Sequence, residues 1–114
     1  MNFYTYPIAK YNPSQPTWPE RIISACAKAS DLRKSHITRA RVRGDRHHSN
    51  LYRRIAMWCM SRFCSLTYSE IGVYFGCDWR CVSDDIRELK AHLKSPSRWT
   101  AKEAIRNVEN ILMP

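Results

Sequence analysis

"LTYSEIGVYFGCDWRCVSDDIREL", Leu66 to Leu89, is the stretch on which the fold turns. Thr67 stands three residues before Glu70, so its hydroxyl can accept from a free first-turn N–H while the glutamate reaches back to the threonine N–H, a capping box. Ile71, Tyr74 and Phe75 can then pack inward from one short helix. Gly76 follows, the residue that most cheaply takes the left-handed conformation that ends a helix, and Asp78 can cap a second one. At about 100° per residue, Ile86, Leu89 and Leu93 fall within about 40° of Val82, so that side of the second helix is its core face. Arg80, Asp84 and Arg87 fall on the opposite side, Asp85 lies about 60° from the core face, and Trp79 sits at the flank near the N-terminal end. Two helices joined by a tight glycine turn are what a helix-turn-helix requires, and an ordinary helical hairpin fits the same pattern.

Working outward, the capping-box spacing recurs at Thr17 with Glu20 and at Thr100 with Glu103. The first marks a helix from about Pro19 towards Ala29 that buries Ile22, Ile23 and Cys26. A shorter helix is expected from Ser35, holding Ile37 and Ala40. Another runs from about Asn50 to Phe63, where Leu51, Ile55, Trp58, Cys59 and Phe63 recur at three- and four-residue steps. The third box opens a last helix with Ile105, Val108, Ile111 and Leu112 on one side. No useful length alternates with period two, so the fold class predicted is all-α.

The chain divides into an extended Pro/aromatic arm over residues 1–19, a helix-turn-helix domain over 20–94, and a C-terminal helix over 95–114 that packs on the domain or forms an interface. Four of the six prolines (Pro7, Pro13, Pro16, Pro19) lie in the arm, interleaved with Phe3, Tyr4, Tyr6, Tyr11 and Trp18. Proline at that density excludes a long helix, and the aromatic residues argue against a purely solvated tail.

The chain has 114 residues, enough for one core without staples, and 19 Lys+Arg against 10 Asp+Glu give a formal net charge of +9. Such an excess is the electrostatic footprint of a phosphate-rich partner, although an acidic protein would also fit. No run of 18 apolar residues and no signal-peptide pattern occurs, which predicts a cytoplasmic, nucleoid-associated protein without membrane contact. Five cysteines at irregular spacings predict reduced thiols, with Cys59 and Cys64 acting as small hydrophobes. Neither a paired C-x-x-C nor a Cys/His cluster is present, and no nucleophile–base or paired-carboxylate constellation rises above chance. No metal, cofactor or enzymatic activity is therefore expected.

"RRIAMWCMSRFCSLTYSEIGVYFG", Arg53 to Gly76, resembles the C-terminal DNA-binding domain of the bacterial replication initiator DnaA, a helix-turn-helix of the Trp-repressor-like type. The Ile-Ala-Met of Ile55 to Met57, the Thr-x-x-Glu-Ile-Gly of Thr67 to Gly72 and the Phe-Gly of Phe75 and Gly76 stand at that family's spacing. Upstream, "ITRARVRGDRHHSN" looks like the short helix and basic loop that precede the unit, so the resemblance covers roughly Ile22 to Leu93. After Phe-Gly the family usually runs Arg-Asp-His-Thr/Ser-Thr-Val, and the run here is one residue shorter before the aspartate. Asp78 is kept, Trp79 replaces the histidine and Arg80 the threonine, while the family's minor-groove arginine falls on Leu51, with Arg46 or Arg54 able to substitute. The resemblance implies base contacts by Asp78, Trp79 and Arg80, but recognition of the initiator's own box does not follow from it. No ATP-binding motif accompanies it.

Positive charge gathers upstream of the second helix, in Arg39, Arg41, Arg43, Arg46, Arg53 and Arg54 with His47 and His48, against Asp45 alone. A basic loop can hold the phosphate backbone while a near-neutral helix selects bases. The expected function is a small, sequence-specific double-stranded DNA-binding regulator of transcription or replication, of a bacterium, phage or plasmid. Base contacts are assigned to Asp78, Trp79, Arg80 and Ser83, and phosphate contacts to Arg43, Arg46, Arg53, Arg54, Tyr68 and Ser69. The alternative is a protein-interaction module that reuses the fold, with its acidic helix or aromatic arm on a protein partner; structured RNA fits less well, for want of an aromatic RNA-binding motif. Two aspartates on the reading helix need an account in either case: Asp85 can bond within the protein, and Asp84 can pair with Arg80 or Arg87. The last helix reads as a core element ahead of a dimer interface, leaving monomer and homodimer open.

Overall fold

A computed structural model describes residues 17–39, 48–94 and 99–113, so residues 1–16 of the arm, Ala40, Arg43 and Arg46 lie outside the described residues, while Trp18 and Pro19, assigned to the extended arm, are helical, because proline is tolerated in a first turn whose N–H groups have no helical partner. Within them the chain forms six α-helices and no strand. Helix α1, Trp18–Ser30, starts at the expected box: the Glu20 amide donates to Thr17 Oγ1 at 3.4 Å and the Thr17 amide to Glu20 Oε1 at 2.9 Å. It buries Ile22, Ile23 and Cys26, with Ala25 and Ala27 beside them. Helix α2, Lys34–Thr38, is a single turn that buries Ile37.

Helix α3, His48–Phe63, is the hub on which each of the other five described helices packs. A helix surrounded in this way must be apolar on most sides, and Ile55, Ala56, Met57, Cys59 and Met60 are fully buried on it. Trp58, expected inward, lies half-buried at the edge with the Arg62 guanidinium 4.3 Å from its ring centroid.

Helices α4, Tyr68–Phe75, and α5, Trp79–Lys94, form the expected pair. The last helix, α6, Trp99–Leu112, packs on α1, α3 and α5 through Ala101, Ala104, Ile105, Val108 and Leu112, with Ile111 half-buried. Its first residue is Trp99, so Thr100 stands inside the helix and is not its N-cap; the spacing to Glu103 imitates a box. Tyr74 also departs from expectation: it is 38% exposed while Ile71 and Phe75 make the inward face of α4. On an eight-residue helix only one narrow stripe can face the core, and Tyr74 lies beyond its edge.

Candidate nucleic-acid interface

The turn between α4 and α5 is fixed by two glycines for two different reasons. Gly76 closes α4 at φ 66°, in the left-handed region, with open space where a Cβ would stand. Gly72 lies under the turn, where an added Cβ would meet the Cys77 carbonyl oxygen 2.2 Å away. The Cys77 amide donates to the Gly72 carbonyl at 3.0 Å, which holds the chain against that glycine. Asp78 then starts α5: its Oδ1 accepts from the Arg80 and Cys81 amides, each at 3.1 Å.

This start leaves Trp79 52% exposed and Arg80 exposed beside it, with the Arg80 guanidinium 5.6 Å from the Trp79 ring centroid, within cation–π range. Asp78 is exposed as well, with one carboxylate oxygen engaged as the cap. Ser83, a turn further on, is half-buried. In the first turn of α4, Ser69 is exposed and Tyr68 is half-buried against the core. The Thr67–Glu70 box is complete, and its hydrogen bonds hold the Glu70 carboxyl below the ordinary carboxylate range.

Arg53, assigned to a phosphate, is buried. Its side chain is 3% exposed, and Nη1 donates to Asp85 Oδ2 at 2.5 Å, which leaves it no path to a phosphate outside. Arg54, 14% exposed, donates from Nε to Asp85 Oδ1 at 3.3 Å. Asp85 is thus an internal anchor tying α5 to α3, as its position near the core face allowed. Asp84 lies on the exposed side and accepts from Arg87 at 2.7 Å, one of the two pairings expected for it. The two aspartates therefore do different work: one is structural, and the other sits in a solvated pair one turn beyond Arg80.

The inner end of the site holds a cluster that sequence reasoning missed. Arg53 Nη2 donates to Cys77 Sγ at 3.6 Å and Cys81 Sγ at 3.5 Å, and the Cys81 thiol donates to Asp85 Oδ2 at 3.7 Å. Burial, and then the hydrogen bond to Cys81, push the Cys77 thiol up to about 11. A signal was present: Ala56, Met57 and Met60 stand three, four and seven residues beyond Arg53, which puts the arginine on the apolar face of α3. Gly72 was legible only as part of the family spacing.

Among the described residues no group of three or more His, Cys, Asp or Glu side chains is placed to hold a metal ion, and no helix is long and apolar enough to cross a membrane. Comparison with protein-family models, with curated proteins and with solved structures finds no match to this chain.

Proposed function

We propose that this protein is a sequence-specific double-stranded DNA-binding regulator that reads bases with the start of α5 and holds phosphates with basic residues upstream of it. One observation carries the reading: an exposed Trp79–Arg80 pair at the beginning of a helix set by a two-glycine turn, on a chain of net charge +9. The N-terminal residues of such a helix are the ones that reach base edges in helix-turn-helix proteins. An arginine there can bind guanine O6 and N7 bidentately, worth roughly 1–3 kcal/mol of discrimination. The resemblance of Arg53 to Gly76 to the initiator's DNA-binding domain supports the same reading, with Arg80 and Trp79 changing the site that is read.

The test is selection from a randomised duplex library at physiological salt. The expected result is an enriched motif containing a guanine at which Arg80→Ala loses preference by about tenfold or more, other positions keeping theirs. Recovery of no duplex would sink the reading. A second reading, a protein-interaction module, is favoured by one observation: Val73 is 79% exposed and Tyr74 38%, on the same helix pair as Trp79. That reading gains if the selection fails.

A further inference from the structure

The geometry points to Cys77 and Cys81 as a dithiol that a peroxide closes into an intramolecular disulfide across the first turn of α5, changing the presentation of Trp79 and Arg80. Both sulfurs converge on one nitrogen, Arg53 Nη2, at 3.6 and 3.5 Å. Both are half-exposed, whereas Cys26 and Cys59 are fully buried and their thiols are pushed up by that burial, Cys59 to about 12. Cys64 is also half-buried, but its sulfur has no place in the Arg53 cluster. Asp78, Trp79 and Arg80 are the residues enclosed between the two thiols, so the ring that closes contains the cap and the exposed pair.

Cys81 is the attacking group: its amide lies in the first turn of α5, and its sulfur stands 3.5 Å from the Arg53 guanidinium with its thiol 3.7 Å from Asp85 Oδ2. Cys81 gives its proton to solvent, and the thiolate attacks one peroxide oxygen; the S–O bond forms as the O–O bond breaks, leaving a sulfenic acid and one water. The Cys77 sulfur then attacks the sulfenic sulfur; the S–S bond forms, the S–O bond breaks, and the departing hydroxide takes the Cys77 proton as a second water. Two thiols lose two electrons and one peroxide is reduced to two waters. Forming the bond turns both sulfurs towards each other and away from Arg53 Nη2, on a guanidinium whose Nε already has no hydrogen-bond partner among the described residues. The disturbance therefore reaches the Arg53–Asp85 link that anchors the reading helix.

Treating the full chain with stoichiometric hydrogen peroxide should reduce the thiols titrated in denaturant from five to three, with full recovery after dithiothreitol. Trypsin cuts after Arg80, between the two cysteines, so the expected link joins two tryptic peptides, and fragmentation assigns it to Cys77 or to Cys64. The Cys77→Ser variant should instead accumulate a sulfenic acid at Cys81 that dimedone traps. A link through Cys64, or five thiols remaining after treatment, overturns the proposal in the unmodified chain, whatever the variant does. The consequence for duplex binding rests on the function proposed above, whereas the thiol map does not. Linked protein should bind the selected duplex several-fold more weakly until reduced, and unchanged affinity overturns the switch. Failure to bind duplex in both states counts against the DNA reading and leaves the peptide link to be judged by itself.

Discussion

Arg53 and Asp85 leave water together, and the cost of separating them sets the first expectation. Removing one partner of a buried pair strands the other charge, at about 3–5 kcal/mol, a large share of the 5–15 kcal/mol typical of a folded domain. Arg53→Ala and Asp85→Ala should each lower the unfolding free energy measured by urea denaturation by that amount, while the double replacement Arg53→Met with Asp85→Leu should recover most of it. Asp84→Ala is the internal control: its pair with Arg87 is solvent-exposed on both sides, and its loss should stay within about 0.5 kcal/mol. Equal losses at Asp84 and Asp85 would refute this division of the two aspartates. The sequence held half of this. Helical angle separated Asp85 from Asp84, but counting charge put Arg53 in the basic run with Arg54, where only its apolar-face spacing distinguishes it. Charge totals say what a chain attracts and not which arginine is free to do the attracting.

At the scale of the element, α4 and α5 depend on a turn whose two glycines fail in different ways. Gly76→Ala meets open space and incurs only the left-handed backbone penalty, about 1–2 kcal/mol. Gly72→Ala drives a methyl into the Cys77 backbone carbonyl, which no rotamer change relieves, so the turn must open. Its cost should reach about 3 kcal/mol, the upper part of the overpacking range, and Arg80→Ala-like loss of base preference should accompany it, read by denaturation and by duplex selection together. Acid should act on the helix starts. The capping hydrogen bonds lower the Glu20 and Glu70 carboxyls, so their stabilisation is present above the unfolded carboxylate range and is lost as pH falls through the folded values. Melting curves below about pH 5 should therefore fall faster for the unmodified protein than for Glu70→Gln, whose amide can keep the box without titrating. Equal acid sensitivity would remove the box from the account. Both boxes were legible because Thr-x-x-Glu stood immediately before a run of apolar period. Thr100 shows the limit: the same spacing can fall inside a helix, because a cap is defined by backbone conformation and not by residue type.

For the whole molecule, the helical class and the central place of Arg53 to Gly76 were legible because periodicity at three and four residues reports which side is buried. What periodicity does not report is the number of neighbours a helix has. Nothing in the pattern of α3 announced that the five other described helices would pack on it. The same distinction between net charge and available charge fixes the last expectation. With Arg53 withdrawn into the core, the charged phosphate contacts proposed for this protein are Arg43, Arg46 and Arg54. Each neutralised phosphate contributes about −0.9 to the slope of log affinity against log salt, so the selected duplex should show a slope of about −3. Arg46→Ala should weaken all sequences alike and make the slope shallower by about 1. Arg53→Met, assayed where the protein is still folded, should leave the slope unchanged, because a side chain only 3% exposed does not reach a phosphate and so releases no counterion from DNA. A slope that falls with Arg53→Met would return that arginine to the surface. A slope near zero for the unmodified chain would mean that the net charge of +9 serves some purpose other than phosphate, and the exposed Val73, Tyr74 and Trp79 would become the place to seek a protein partner.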